Sequence, residues 1–196
     1  MGTHRRSPRR AAQLLGLRGD LRCVPIRGNA GTRLAKVSEG ELDAVVLAYA
    51  GLIRIGQAAA VTQVFEPDEM LPAPGQGALA VEIRDGAPEL AALLQAVTDE
   101  ASVAAVTAER SLLEALEAGC SAPIGAYAAG TTQLRMQAAV ISPDGSRVLR
   151  AHGSAPAAGA WQLGRDLAAE LLRSGASDLI SGTEEQANSR NDGSER

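Results

Sequence analysis

The chain has 196 residues, 45% of them hydrophobic and 21% charged, which suffices for one large domain or two small ones. Its 2% aromatic content and net charge of −4 argue against a nucleic-acid-binding surface. Because no apolar run approaches the length of a membrane span and no signal-peptide pattern follows the basic N-terminus, we expect no membrane segment. The two cysteines, Cys23 and Cys120, lack the spacing of a disulfide framework or zinc site, so we expect no metal and a cytoplasmic location.

The first 56 residues alternate helical patterns with short apolar runs. Pro8 suits the first turn of a helix, and Ser7 is placed to cap it. The pattern predicts helices over residues 8–18, 32–38 and 50–56, and strands over 22–26 and 43–48. This alternation is typical of a parallel α/β sheet.

Three prolines at 67, 72 and 74 then interrupt the pattern and indicate a crossing between domains. Beyond them we predict a strand over 78–84 and a helix over 88–97. Thr98 or Asp99 can cap a longer helix that reaches about residue 118. Its apolar face is predicted at residues 103, 106, 113 and 116.

The last part of the chain has the pattern of a small α+β domain. Strands are predicted over 122–129, 134–141 and 147–152, with a Pro-Asp-Gly turn at 143–145. An amphipathic helix follows over 158–174. The polar stretch from 181 to 196 is expected to be disordered.

Arginines cluster at the predicted strand-to-helix boundaries, where parallel α/β sheets place their ligand-binding loops. Seven lie within the first 27 residues, and the relevant segments are SPRR (7–10), RGNAGTR (27–33) and AGLIR (50–54). Guanidinium groups bind carboxylates with two hydrogen bonds, so one interpretation is a site for a small polyanion. The other is that these are ordinary surface arginines, and spacing alone does not decide between the two.

Cys120 follows a glycine expected at a helix end and precedes Ser-Ala-Pro, which places it on a constrained loop. A loop thiol can act as a nucleophile where nearby cations favour the thiolate. The commoner role of an isolated cysteine is that of a small buried apolar side chain. On physical grounds alone, the second role is favoured.

Four consecutive blocks closely resemble the hydroxymethylbilane synthase (porphobilinogen deaminase) family. They are SPRRAAQL, RGNAGTRLAKVSEGELDAVVLAYAGLIRIG, LPAPGQGALAVE and VTAERSLLEALEAGCSAPIGAYA. The blocks follow the family's order over residues 2 to 180, and EAGCSAPIG and RGNAGTRL are highly specific.

The resemblance implies a transferase of haem biosynthesis that joins four porphobilinogen units into a linear tetrapyrrole with release of ammonia. It implies a dipyrromethane cofactor attached through a thioether to Cys120, because a soft sulfur nucleophile suits that bond. Arginines would hold the acetate and propionate groups of cofactor and substrate. The matching cofactor- and substrate-binding positions are Ser7, Arg9, Arg10, Arg27, Arg33, Gly51, Arg54, Gln76 and Gly77.

The resemblance also implies a domain division. Residues 1–72 would form part of a periplasmic-binding-protein-like domain two, 73–97 a segment belonging to domain one, 98–181 domain three, and 182–196 a tail. Most of domain one has no counterpart here, including its catalytic aspartate, so no catalytic acid is assigned. We expect a fragment, a misplaced start or half of a split enzyme, whereas complete family members are expected to be monomers.

Two alternatives follow from that gap. A truncated paralogue would bind a carboxylate-rich small molecule without catalysis. A non-functional remnant would be destabilised by surfaces meant for domain one.

Overall fold

The structure is a computed structural model that describes residues 7–117 and 122–181. Its helices are α1 (Pro8–Leu17), α2 (Ala30–Ser38), α3 (Tyr49–Arg54), α4 (Pro88–Gln95), α5 (Glu100–Ala115) and α6 (Ala160–Arg173). The strands are β1 (Ile124–Ala129), β2 (Gln133–Ile141) and β3 (Val148–Pro156), and short 3₁₀ turns cover Ala58–Ala60 and Ala157–Gly159. The predicted mixed α/β character is confirmed.

The predicted helices all form, and local signals explain where they begin. Pro8 occupies the first turn of α1, although the Ser7 side chain makes no capping hydrogen bond. Asn29 caps α2 by accepting from the Thr32 amide at 2.9 Å. Asp99 caps α5 by accepting from the Ser102 amide at 2.7 Å. The last predicted segment, 182–196, lies outside the described residues.

The C-terminal part is an antiparallel sheet in the order β1-β2-β3, covered on one face by α5 and α6. β1 pairs with β2 from Ile124↔Val140 to Ala129↔Arg135, and β2 pairs with β3 from Gln133↔Pro156 to Ile141↔Val148. Apolar side chains of the helices and strands form one core, which includes Leu112, Leu116, Met136, Val140, Leu167 and Leu171.

The predicted apolar face of α5 is confirmed at Leu116, which is buried, and at Leu113, which packs against the core, but not at Val103. Val103 is 51% exposed, whereas Ala108, Leu112 and Leu116 are buried. Gly164 of α6 lies close against Ala108 and Ser111 of α5, so the face of α5 turned to α6 includes these residues and not Val103.

The predicted parallel sheet does not appear among the described residues. Segments 22–26, 43–48 and 78–84 have no regular secondary structure. Along the last of these, the alternating Leu79, Val81 and Ile83 are 90%, 66% and 36% exposed. A strand is stabilised by hydrogen bonds and side-chain pairs with a neighbouring strand, and these segments have none.

The N-terminal part packs on the other face of the C-terminal sheet. Ala12 of α1 and Leu71 form a small buried cluster with Ala139 and Ile141 of β2. Ala126 of β1 donates its amide to the carbonyl of Pro72 at 3.0 Å. The two parts of the chain are therefore joined through α1 and residues 71–72.

Across residues 7–117 and 122–181, no single helix is long and apolar enough to cross a membrane. The bent pair α4 and α5, which meet at 106°, reaches that threshold only by combined length and composition.

Candidate functional site

Arg9 lies at the junction between α1 and the proline-rich segment. Its side chain is buried, with one guanidinium nitrogen donating to the Leu71 carbonyl and the other to Gln76 Oε1 at 3.0 Å. Gln13, one turn further along α1, accepts from the Leu71 amide at 2.7 Å and donates to its carbonyl at 3.0 Å. These bonds fix residues 71–76 against α1 and hold the Arg9 guanidinium in one orientation.

Arg10 places further positive charge close to Arg9, and Arg33 places positive charge close to Arg10. Arg10 donates to the Val46 carbonyl at 3.1 Å, and Arg33 donates to the Gly28 carbonyl at 2.7 Å. The pKa of Arg9 is lowered to about 10, mainly by burial and to a smaller extent by the charge of Arg10. Burial, followed by the charge of Arg33, lowers the pKa of Arg10. The three side chains form what we call the arginine cluster.

The arginine cluster has no carboxylate partner within the described part of the chain. The ion pairs found there are Arg18–Asp20 and Lys36–Glu41, and neither includes an arginine of the cluster. The cluster arginines donate instead to backbone carbonyls and to the Gln76 side-chain amide, and these uncharged acceptors hold the guanidiniums without neutralising their charge. Clustered, partly desolvated cations of this kind favour an anionic ligand, and the planar guanidinium fork suits carboxylates in particular.

The structure brings together only some of the predicted site residues. Gln76 contacts Arg9 directly and Gly77 follows it with a φ of +106°, so both lie beside the arginine cluster. Gly51 and Arg54 lie on α3, which contacts α2, the helix that carries Arg33. Ser7 and Arg27 are exposed at the start of α1 and in the loop before α2.

Cys120 lies outside the described residues. The flanking elements are well defined, because α5 ends at Ala115 and β1 begins at Ile124. Cys23 is a half-buried free thiol. Among the described residues, no group of three or more His, Cys, Asp or Glu side chains is arranged to hold a metal ion.

Two polar residues at the junction were missed from the sequence, Gln13 and Glu109. Glu109 is 5% exposed, and its carboxylate accepts from the Gly75 amide at 2.6 Å and the Ala128 amide at 2.7 Å. Burial raises the pKa of Glu109, and the two backbone hydrogen bonds oppose that shift. Helical spacing could have indicated the role of Glu109. It lies four positions after Ala105 and three before Leu112, so a charged residue falls on the inner face of α5.

Two family models match the chain. Residues 2–92 match "Porphobilinogen deaminase, dipyromethane cofactor binding domain", and residues 103–173 match "Porphobilinogen deaminase, C-terminal domain". Together they cover most of the sequence, including the arginine cluster and the elements on both sides of Cys120.

Several curated relatives are similar along nearly the whole chain. The porphobilinogen deaminase of Thermobifida fusca is 54% identical over 185 residues, which is 89% of this chain and 58% of the relative. Those of Mycobacterium avium and Corynebacterium diphtheriae are 50% and 51% identical, covering 90% and 89% of this chain and 59% and 60% of the relatives. The chain thus spans about three fifths of the length of these relatives. It belongs to the porphobilinogen deaminase family.

Proposed function

We propose that this chain provides the cofactor-anchoring and carboxylate-binding part of a hydroxymethylbilane synthase. That activity joins four porphobilinogen units into a linear tetrapyrrole with release of ammonia. The observation that carries the proposal is the arginine cluster, whose guanidiniums lack carboxylate partners among the described residues, in a chain of this family. Acetate and propionate groups of pyrroles are anions of matching chemistry.

The residues fit a dipyrromethane cofactor. Its carboxylates would be held by Arg9, Arg10 and Arg33, with Gln76 keeping the Arg9 fork in place. When bound, the cofactor supplies the pyrrole end onto which further units are joined. The remaining proposed contacts to cofactor or substrate are Ser7, Arg27, Gly51, Arg54 and Gly77.

Cys120 is the proposed point of covalent attachment through a thioether. The chemistry needs a free thiol, which a reducing compartment preserves, and we therefore propose that the protein works in the cytoplasm. The elements that precede and follow it in the sequence, α5 and β1, both contribute to the packed C-terminal core.

We also propose that residues 1–72 form part of a periplasmic-binding-protein-like domain, 73–97 return to a further domain, and 98–181 form the cofactor-bearing domain. The exposed alternating side chains of residues 79, 81 and 83 support the second point, because their pattern is that of a strand with no neighbour. Strands corresponding to parts of the relatives that this chain does not span would complete a parallel sheet here. The catalytic acid would come from the same region.

A binding experiment tests the arginine cluster separately from catalysis. Titration calorimetry of the 196-residue chain with porphobilinogen should show binding that Arg10→Gln weakens. The matched control is Arg173→Gln on the exposed surface of α6, which should bind as the wild type does. Equal affinity in all three proteins would refute the assignment of the cluster.

The activity itself is tested by adding the part of a relative that the chain does not span. The chain is mixed with that part of the Thermobifida fusca relative, porphobilinogen is added, and product is followed by the Ehrlich colour reaction. We expect turnover that Cys120→Ser abolishes and Cys23→Ser preserves. Absence of turnover by the assembled pair would contradict the proposed activity.

A further inference from the structure

Glu109 joins two segments that are distant in the sequence. One carboxylate oxygen accepts from the Gly75 amide in the loop 73–77, and the other accepts from the Ala128 amide in β1. Among the described residues no cation pairs with this buried carboxylate. A neutral amide cannot replace it without loss, because one end of a glutamine side chain would present N–H donors to a backbone donor.

The loop 73–77 depends on hydrogen bonds for its position. Gly75 and Gly77 both have positive φ, and a Cβ atom at either position would meet nothing within 4 Å. Gln76 between them is exposed. Because no neighbouring atoms lie against these two glycines, the hydrogen bond from Gly75 to Glu109 is an important restraint on this end of the loop.

Gln76 connects the loop 73–77 to the arginine cluster through its side-chain oxygen. Its Oε1 atom accepts from the Ala73 amide at 3.2 Å and from Arg9 Nη2 at 3.0 Å. A displacement of Gly75 would therefore move the acceptor that orients the Arg9 guanidinium. Glu109 itself makes no described contact with the arginines.

We propose that Glu109 is a positioning residue of the carboxylate-binding site, acting through the 73–77 loop and Gln76 on Arg9. Since Glu109 lies on α5 and also accepts from β1, the same carboxylate connects the C-terminal part of the chain to the loop that lies beside Arg9. The proposal rests on the proposed function only for the identity of the ligand. The alternative is that Glu109 only stabilises the fold and does not affect the carboxylate-binding site.

The test compares Glu109→Gln with Glu114→Gln, a matched change at an exposed position of the same helix. Calorimetry with porphobilinogen should show a loss of affinity of about 2- to 30-fold for Glu109→Gln, the range expected of changes coupled to a site through a contact network. Glu114→Gln should bind as the wild type does. Reduced thermal stability of Glu109→Gln with unchanged affinity for porphobilinogen would show that Glu109 only stabilises the fold, and it would overturn the proposal.

Gln76→Ala removes the last step of the connection from an exposed loop, where little packing is lost. It should weaken porphobilinogen binding by a similar factor, and the double variant should be no weaker than the more affected single variant. Independent, fully additive losses would overturn the proposal. If Glu109→Gln fails to fold, unchanged affinity in Gln76→Ala still refutes the connection, because Gln76 is its last step.

A spectroscopic measurement separates this inference from the proposed function. The ¹⁵N-edited NMR signal of the Arg9 guanidinium should shift in Glu109→Gln and stay in place in Glu114→Gln, with no ligand present. If the wild-type chain does not bind porphobilinogen, the proposed function fails, yet this signal still reports on Glu109. An unmoved Arg9 signal would refute the positioning role whatever the ligand.

Discussion

Gly125→Ala tests the junction that holds the arginine cluster against the C-terminal sheet. An added methyl group would lie 2.6 Å from Leu71 Cβ and 3.4 Å from the carbonyl oxygens of Leu71 and Pro72. Carbon atoms in contact prefer about 3.5–4.0 Å, so residues 71–72 and β1 must separate by about 1 Å. The Leu71 Cβ atom is attached directly to the backbone and cannot move away by rotation of its side chain.

The cost follows from what that separation breaks. Overpacking of a core costs about 1–3 kcal/mol, and weakening of the hydrogen bond from Ala126 to Pro72 costs about 0.5–1.5 kcal/mol. Alanine is less flexible than glycine in the unfolded chain, and this difference offsets the loss of stability by about 0.5–1 kcal/mol. We expect a net loss of about 2 kcal/mol, which lowers the Tm by about 4–8 °C in a chain of this size.

Urea unfolding followed by circular dichroism measures the change, with Gly31→Ala as the control. A methyl group at position 31 of α2 would meet only Asn29 Oδ1 at an ordinary 3.5 Å, so the control should be neutral or slightly stabilising. Gly125→Ala should also weaken porphobilinogen binding, because Leu71 and Gln76 hold Arg9. An unfolding free energy equal to that of the wild type would refute the close packing on which this reasoning depends.

Three further predictions concern the supporting structure. Gly164→Ala would place a methyl group 2.0 Å from an oxygen on α5 and force α5 and α6 apart. We expect the free energy of unfolding to fall by about 2–3 kcal/mol, measured by urea unfolding with Trp161 fluorescence as the signal. Asn29→Ala removes the cap of α2 and should cost about 1 kcal/mol by circular dichroism, whereas Asn29→Asp should keep most of the stability; equal losses would contradict the capping role. Burial raises the folded-state pKa of Glu109 above the ordinary 4.5, so its stabilising contribution is present below 4.5 and lost as pH rises through the folded pKa. The stability of the wild type relative to Glu109→Gln should therefore fall between acid and neutral pH, and a constant difference in denaturant unfolding would contradict the burial argument.

The helices and the antiparallel sheet could be predicted because their signals are local. Pro8 and Asp99 mark helix starts, and alternating side chains with a turn at 143–145 mark the hairpin, whereas α2 begins at Ala30, two residues before its predicted start. The apolar runs at 22–26, 43–48 and 78–84 also suggested strands. A strand depends on its neighbours, however, and no local pattern states whether a neighbour is present.

The site was predictable to a similar extent. Arginines at predicted strand-to-helix boundaries left an anion site as one of two interpretations, and in the structure Arg10 lies close enough to Arg9 and to Arg33 to interact with each. The roles of Gln13 and Glu109 depend on contacts across 58 and 34 positions of the chain, which spacing cannot reveal. Likewise, the close approach of Leu71 to Gly125 appears only once the two parts are packed.

The proposed function requires that Cys120 carries a covalent dipyrrole whose carboxylates are bound by the arginine cluster. Its most direct test is the mass of the chain after incubation with its complementary region and porphobilinogen, followed by peptide mapping. We predict an added mass equal to a dipyrromethane on the peptide that contains Cys120, present in Cys23→Ser and absent in Cys120→Ser. No added mass, or an adduct that persists in Cys120→Ser, would contradict the account.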